Sequence, residues 1–219
     1  IDLVEGICAA APECRVRLGS LEPRTITEDF CRRAAALPNL CPHFHLSMQS
    51  GCDATLKRMN RKYDSERYYE SVKLLRGHFD RPGITTDLIV GFPGETEEEF
   101  AQTLDFVRKC AFSALHIFPY SRRSGTPAAS MPGQVPRTEK EERAHRAAEV
   151  AAELRAAWLA GGIGRTAPVL FEEEKNGLWR GHAPDYTEVY AEGAELHNVI
   201  KDVRITGIDQ DGWRGSVVK

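Results

Sequence analysis

Short apolar runs alternate with amphipathic stretches over about the first 130 residues of this 219-residue chain. The apolar runs have the length and composition of β-strands. They lie at 14–20, 43–49, 84–92 and 113–120. Strands that alternate with helical stretches predict a parallel sheet with right-handed crossovers. The near-continuous apolar run ITTDLIVGF predicts that this sheet is covered on both faces or closed into a barrel.

Two of the predicted helices begin with a capping box, in which a Thr and a Glu three residues later bond each other's backbone N–H groups. The pairs are Thr25 with Glu28 and Thr96 with Glu99. Asp53 is placed to cap a further helix. Two more helices are predicted over 53–60 and 65–79.

The pattern changes beyond the last of these strands. Residues 124–137 are rich in Pro, Gly, Ser and Ala, which predicts a loop that wraps across the barrel mouth. A long helix is predicted over 138–160, capped by Thr138 and Glu141 and ended by two glycines.

Short β runs with turn signals follow from about residue 164. They recur about every ten residues, which is typical of a small all-β barrel. We therefore predict two domains, an α/β domain over 1–162 and a small β-barrel domain over 163–219.

Composition weighs against membrane and strongly basic nucleic-acid-binding classes. The chain is 42% hydrophobic and 28% charged, with a formal net charge of -3, so it has no global basic field. No apolar run approaches the roughly 18 residues of a membrane span. The opening IDLVEGICAAAPECR lacks the basic start of a signal peptide. We therefore expect a cytoplasmic protein.

The six cysteines are widely spaced along the chain. They are Cys8, Cys14, Cys31, Cys41, Cys52 and Cys110. Zinc and cluster sites need thiolates two or three residues apart, and disulfides are not expected in a cytosolic chain of this size. We predict reduced thiols, several of them in the core, and no metal ligand.

Polar residues follow the predicted strands at the edge where parallel α/β folds bind ligands. Ser20 and Glu22 follow the first strand, where a carboxylate suits a ribose hydroxyl or an ammonium group; a solvated loop is the alternative. Gln49 and Ser50 follow the second strand, where uncharged groups suit a polar ligand. The alternative there is a turn that leads to the helix cap at Asp53.

Asp87 lies inside an apolar strand, so its carboxylate must be paired or must face the lumen. Arg15 and Arg17 share one face of the first strand, and either could supply the partner. His43 and His45 also share a strand face. A core or lumen role is favoured over a metal site because no third ligand is evident.

Two further features stand at strand ends. The turn GFPGE has glycines that let a backbone approach a ligand, although a tight βα turn alone would also need them. Arg122 and Arg123 follow the fourth strand, where guanidinium groups suit a phosphate or a carboxylate, or are simply exposed.

Four segments in order resemble the radical-SAM methylthiotransferases: RVRLGSLEP, HFHLSMQSGCDATLKRMNRKY, TTDLIVGFPGETEEEF and FPYSRRSGTPAA. The resemblance covers about residues 14–160, and residues 164–219 are similar to the TRAM domain that closes these proteins. Within the family, LSMQSGCDATLKRMNRKY is most similar to enzymes that methylthiolate N6-threonylcarbamoyladenosine beside the tRNA anticodon. The implied fold is a partial radical-SAM, TIM-like barrel followed by a small TRAM/OB-like barrel.

The resemblance implies that S-adenosyl-L-methionine (SAM) binds at the strand ends. It implies that the GFPGE turn forms part of the wall, that the FPY backbone lies along the adenine, and that Glu22 meets the ribose and methionyl parts. The candidate cofactor-binding residues are Ser20, Glu22, Gln49, Ser50, Asp87, Gly91, Pro93, Gly94 and Tyr120.

The family also implies two 4Fe-4S clusters. One is held by a CxxxCxxC loop and reduces SAM to a 5′-deoxyadenosyl radical, and the second serves sulfur delivery from an N-terminal domain. Neither motif occurs in this sequence, so we expect this chain alone to be inactive. No catalytic residue and no sulfur donor is indicated. A partial barrel would expose a strand edge, which predicts dimerisation, a rearranged edge or marginal stability.

The implied substrate is tRNA. Alternatives are a methylthiotransferase for isopentenyl-adenosine tRNA or a ribosomal protein, and a non-catalytic RNA-binding module. Candidate RNA contacts are Arg122, Arg123, Arg180, Lys201 and Arg204, with Trp179, Tyr186, Tyr190 and Trp213 for stacking. From residue 163 onward 7 Lys and Arg face 10 Asp and Glu, which counts against phosphate binding.

Overall fold

A parallel sheet in the order β1-β2-β3-β4 organises the first part of the chain in this computed structural model, which describes residues 1–218. Its strands are β1 (Ser20–Leu21), β2 (His43–Leu46), β3 (Gly83–Val90) and β4 (Ala114–Pro119). Each strand pairs in parallel with the next one along the chain. The predicted α/β class is confirmed.

Helices connect the strands and follow the last of them. They are α1 (Asp2–Ala10), α2 (Glu28–Ala35), α3 (Asp53–Arg58), α4 (Ser65–His78), α5 (Glu97–Cys110), α6 (Pro127–Ser130) and α7 (Arg137–Ala160). The predicted capping box at Thr96 and Glu99 is present at the start of α5. None of the helices within residues 1–218 is both long and apolar enough to cross a membrane.

Alternation along the strands gives the sheet one apolar face and one polar face. Phe44, Leu46, Ile84, Leu88 and Val90 point into the core that the helices cover. The intervening residues of β2 and β3 face the other side, where they carry the histidines, a threonine and a carboxylate. The apolar face therefore builds the fold and leaves the polar face for chemistry.

Five strands form a closed barrel in the order β5-β6-β7-β9-β8. They are β5 (Thr166–Lys175), β6 (Leu178–His182), β7 (Glu188–Glu192), β8 (Val199–Asp209) and β9 (Gly212–Val217). A separate core of Val169, Phe171, Val189, Val203 and Ile205, all fully or almost fully buried, fills the barrel. The predicted small β-barrel is therefore present, and its identity as a TRAM domain stays a prediction.

The barrel packs against the amino ends of the sheet strands. The guanidinium of Arg81, just before β3, lies 3.7 Å from the centre of the Trp158 ring and 5.4 Å from that of Trp213. Its Nη1 is 3.8 Å from a carboxylate oxygen of Asp185. The Trp213 indole N–H donates to the Leu159 carbonyl at the end of α7. These contacts join the two cores.

Several predicted local features differ in the structure. The strand expected over 14–20 is reduced to Ser20–Leu21, because the arginines before it turn toward the barrel. Helix α1 was not predicted. The cap of α2 is Thr27, not Thr25, because Pro23–Thr25 form a 3-10 turn.

Two other predicted caps are also wrong. Helix α3 starts after Cys52 without a side-chain cap, and the Asp53 carboxylate instead accepts from the Ser65 N–H at 2.8 Å. Helix α7 starts after Pro136, also without a side-chain cap, so Thr138 and Glu141 form no capping box. The Glu141 carboxylate pairs with Arg137 at 2.7 Å.

Candidate functional site

An open cavity of about 420 Å³ lies at the carboxyl ends of the strands, on the polar face of the sheet. We name it the C-terminal cavity. Its lining is Gln49, Asp87, Ile89, Phe118, Pro119, Tyr120, Ser121, Arg123, Thr126 and Ala128. Three predicted cofactor-binding residues, Gln49, Asp87 and Tyr120, therefore share one cavity, and Arg123 stands in its wall.

Gln49 reaches the cavity through an unusual backbone conformation. Its φ is 67°, in the left-handed region, and it is not a glycine. The Gln49 N–H donates to the Asp87 carbonyl at 2.9 Å, and its carbonyl accepts from Ile89 at 2.9 Å. The turn therefore extends the ladder beside β3, and it holds Gln49 beside the strand that carries Asp87.

Tyr120 is anchored by its backbone and by its ring. Its N–H donates to the Val90 carbonyl at 2.8 Å, and its ring meets Phe92 edge-on with the centres 5.2 Å apart. The Lys140 ammonium donates to the Tyr120 carbonyl at 3.0 Å. The hydroxyl is buried and has no hydrogen-bond partner among the described residues. A buried hydroxyl without a partner is costly, and a polar group that reached it from the cavity that Tyr120 lines would satisfy it.

Asp87 is paired with His45. The His45 Nε2 lies 3.3 Å from an Asp87 carboxylate oxygen. The prediction that Arg15 or Arg17 would pair with Asp87 is wrong. Arg15 donates to two carbonyl oxygens of the barrel region, at 2.7 and 3.1 Å, and the Arg17 guanidinium lies 3.9 Å from the centre of the Tyr186 ring. Both arginines therefore bind the barrel.

The GFPGE turn is held from behind by α7. The Glu95 carboxylate accepts from the Gly91 N–H at 2.6 Å and pairs with the Arg143 guanidinium at 2.9 Å. Both side chains are at most 3% exposed. Burial raises the pKa of Glu95, whereas the Gly91 N–H and the Arg143 charge oppose that rise. A methyl group at Gly91 would overlap the Lys140 side chain, and its φ of 70° also favours glycine.

Both glycines of the turn are therefore in contact with other parts of the protein. Gly94 donates to the carbonyl of Gly133 in the loop before α7, at 2.8 Å. Gly91, Pro93 and Gly94 are not among the residues that line the C-terminal cavity. Of the two interpretations of the turn, the structure supports a packing role for Gly91 and Gly94.

Three other predicted residues lie away from the cavity lining. Ser50 is 1% exposed, and its hydroxyl lies 3.2 Å from that of Thr103 on α5. It also accepts from the Cys52 N–H at 3.2 Å, so it stabilises the turn before α3. Ser20 lies at the other end of the sheet, in register with His45. Glu22 is exposed and precedes a 3-10 turn.

The predicted RNA contacts divide into two groups. Arg122 donates to the Ala129 carbonyl at 2.7 Å, and Arg123 lines the cavity. In the barrel, Arg180 pairs with Glu173 at 2.6 Å and with Glu188 at 3.5 Å, so its charge is largely neutralised. Lys201 and Arg204 are exposed on β8.

The cysteines do not assemble into a metal site. Within residues 1–218, no group of three His, Cys, Asp or Glu side chains is arranged to hold a metal ion. Burial raises the pKa of the Cys31 thiol to about 11 and that of the Cys110 thiol to about 12, so both stay protonated. The described residues therefore do not fit an iron–sulfur cluster, whereas the C-terminal cavity with its unpartnered tyrosine hydroxyl fits a nucleoside cofactor.

Sequence reasoning missed the Glu95–Arg143 pair and Lys140. A signal was present, since Arg143 shares its helical face with Ala147 and Val150, both of which are buried. An arginine inside an apolar stripe needs a buried acid, and Glu95 in the turn is the one it finds.

Comparisons with known proteins show which family and which enzymes this chain is similar to. The sequence profile of the Radical SAM superfamily matches residues 1–107. The tRNA-2-methylthio-N(6)-dimethylallyladenosine synthase of Acidothermus cellulolyticus is 51% identical over 122 residues, which are 56% of this chain and 24% of the relative. The threonylcarbamoyladenosine tRNA methylthiotransferase of Thermotoga maritima is 36% identical over 214 residues, which are 96% of this chain and 49% of the relative.

Among solved structures, the coproporphyrinogen III oxidase of Escherichia coli, a radical SAM enzyme, matches with a TM-score of 0.52 at 16% identity. The matched region covers 78% of this chain and 46% of the oxidase chain. Fold and superfamily match together define a radical-SAM protein. Within that superfamily the relatives that match this chain are tRNA methylthiotransferases, the family that its motifs resemble. It spans about a quarter of the first relative's length and about half of the second's.

Proposed function

We propose that this chain is the part of a cytoplasmic tRNA methylthiotransferase that binds SAM and tRNA, and that the complete enzyme modifies N6-threonylcarbamoyladenosine beside the anticodon. The observation that carries the proposal is the C-terminal cavity, where Gln49 after β2 and Tyr120 after β4 meet Asp87 of β3. The choice of nucleoside rests on the segment LSMQSGCDATLKRMNRKY, and the Thermotoga maritima enzyme, which carries the threonylcarbamoyladenosine name, matches 96% of the chain.

The chain's own residues would bind and orient the cofactor. The Tyr120 hydroxyl would donate to a polar atom of SAM, and the Gln49 amide would bind a second one. The apolar wall formed by Ile89, Phe118 and Pro119 would pack on the adenine and exclude water. With a reduced cluster, SAM supplies the radical chemistry of the reaction. Arg123 at the cavity and Lys201 and Arg204 on β8 would meet phosphates of the tRNA.

A second nucleoside stays in the proposal because several relatives carry the dimethylallyladenosine name. The relative from Acidothermus cellulolyticus is 51% identical over 56% of this chain, and the one from Maricaulis maris is 38% identical over 93% of it. Identity and coverage therefore do not separate the two substrates. We place the dimethylallyl substrate second because the segment LSMQSGCDATLKRMNRKY is most similar to the threonylcarbamoyladenosine enzymes.

The test is mass spectrometry of tRNA nucleosides from a strain that lacks the gene for this chain. Loss of 2-methylthio-N6-threonylcarbamoyladenosine supports the first substrate, and loss of the dimethylallyl product supports the second. No change in either nucleoside contradicts the proposal. Re-expression with Gln49→Ala should restore much less product than Gln210→Ala. Both glutamines have a positive φ, but only Gln49 lines the cavity.

A further inference from the structure

A second cavity, of about 540 Å³, lies at the amino ends of the sheet strands, between the sheet and the barrel. We name it the N-terminal cavity. His43, His45 and Thr85 line it from the sheet, and His182 and Tyr186 line it from the barrel. The two cavities open from the same polar face of the sheet, and a row of polar side chains runs between them.

This row is a continuous chain of close contacts. The His43 Nε2 is 3.2 Å from the Thr85 hydroxyl oxygen, and the same oxygen is 3.0 Å from the His45 Nδ1. The His45 Nε2 is 3.3 Å from the Asp87 carboxylate. Asp87 lines the C-terminal cavity, whereas His43 lines the N-terminal cavity. The contacts thus run from a residue that lines one cavity to a residue that lines the other.

Hydrogen-bond chemistry gives the chain a direction. The nearby Asp87 carboxylate can only accept, so its contact with His45 favours a proton on Nε2 when the ring is neutral. The His45 Nδ1 then accepts from the Thr85 hydroxyl, and the Thr85 oxygen accepts from the His43 Nε2–H. The remaining atom, His43 Nδ1, is unprotonated. It is buried and has no partner among the described residues.

We propose that His43, Thr85, His45 and Asp87 form a proton-transfer chain that links the two cavities and presents Asp87 to a ligand in the C-terminal cavity as a proton donor or acceptor. Toward Asp87, a proton enters at His43 Nδ1 and the Nε2 proton passes to the Thr85 oxygen. The Thr85 proton passes to His45 Nδ1, and the His45 Nε2 proton passes to Asp87. His43, Thr85 and His45 each gain one proton and lose one, and Asp87 ends with the added proton, which it can pass to the ligand. The reverse sequence carries a proton away from Asp87.

The surroundings favour neutral rings that exchange tautomers. Burial lowers the pKa of His43 to about 4, and the nearby charge of Arg17 and the His45 ring act in the same direction. His43 therefore stays uncharged near neutral pH and takes part only by changing its tautomer. On the side of the C-terminal cavity, Tyr120 and Arg123 are the titratable or charged groups that line the cavity with Asp87. The His116 ring centre on β4 is 6.1 Å from that of His45. The other such groups around the N-terminal cavity are Arg17, Arg155, His182, Asp185, Tyr186, Glu188 and Asp211.

The test is long-range ¹H–¹⁵N NMR of ¹⁵N-histidine-labelled protein, using the 219-residue chain. At neutral pH both His43 and His45 should be Nε2–H tautomers. When His45 becomes protonated, its Nδ1–H donates to the Thr85 oxygen, and the Thr85 hydroxyl then donates to the His43 Nε2. His43 should therefore convert to the Nδ1–H tautomer at the same midpoint as the protonation of His45.

Variants of Thr85 test whether the tautomer change of His43 is transmitted from His45 through the Thr85 hydroxyl. Thr85→Val should abolish the response of His43 while His45 still titrates, and Thr85→Ser should restore it. Ser113→Ala removes another hydroxyl from the N-terminal cavity and should leave the coupling unchanged. The proposal is overturned if His43 of the unaltered chain does not respond to His45, or if it responds equally in Thr85→Val. These outcomes do not depend on which nucleoside the enzyme modifies.

Discussion

Lowering the pH should destabilise the folded chain because His43 must then take up a proton. A variant without this histidine separates that effect from those of other groups. The pKa of His43 in the folded state is about 4, against an ordinary value of 6.5. Between these pH values the unfolded chain binds the proton and the folded chain does not. The stabilisation is therefore complete above pH 6.5 and declines as the pH falls toward 4. The difference of about 2.5 pKa units corresponds to about 3 kcal/mol.

His43 is only 3% exposed, so solvent screens its interactions little. The free energy of about 3 kcal/mol therefore needs no large reduction. The assay is urea denaturation followed by circular dichroism at several pH values from 7 to 4, on the unaltered chain and on His43→Gln. Glutamine does not titrate, so the free energy of unfolding of the variant should fall less over this range, by up to about 3 kcal/mol. Titratable groups that are not linked to His43 through Thr85 contribute equally to both proteins. Identical pH dependence in the two proteins would refute the reasoning.

Two further predictions concern packing. Arg143→Met should lower the free energy of unfolding by about 3–5 kcal/mol because it leaves the buried Glu95 carboxylate without its partner, and adding Glu95→Gln should recover part of the loss in the same denaturation assay. Gly162→Ala should cost about 1–3 kcal/mol, since the new methyl group would overlap the Trp213 ring, whereas Gly207→Ala, with open space around it, should change thermal stability much less. An Arg143→Met protein with an unchanged free energy of unfolding would contradict the role of the buried ion pair. Equal losses of stability in Gly162→Ala and Gly207→Ala would contradict the close packing at Gly162.

Local patterns predicted most of the elements because each was encoded within a few residues. The β-branched run at β3 and the Thr96–Glu99 spacing at α5 needed no distant partner. The cap of α2 was wrong because two threonines lie two residues apart, and only the backbone of the preceding 3-10 turn decides between them. The helix over Asp2–Ala10 has no capping side chain, and no start signal marked it.

The sequence predicted the residues of the candidate site only where the order of the parallel strands by itself determines where a side chain lies. Gln49 and Tyr120 follow β2 and β4, and Asp87 lies on β3 between these strands with its side chain on the polar face, so the three side chains converge. Ser50 is the next residue after Gln49, and the turn directs its hydroxyl to α5 instead. Arg15 failed as a partner of Asp87 because its partners lie more than 150 residues away in the barrel. Contacts at that separation leave no local pattern in a sequence.

The position of the barrel constrains how a tRNA could be held. The barrel contacts the amino ends of the strands, and the C-terminal cavity lies at their carboxyl ends. Strand β3 has 8 residues, so its first and last residues are about 23 Å apart. We therefore expect that a single nucleoside in the C-terminal cavity does not reach Lys201 or Arg204 on β8, whereas a folded RNA can span the length of the strand. If the barrel binds RNA, charge reversal at these two residues should therefore weaken binding of whole tRNA and leave binding of a short anticodon-loop oligonucleotide nearly unchanged. Equal weakening of both ligands would place the RNA contacts of the barrel beside the cavity, contrary to this geometry.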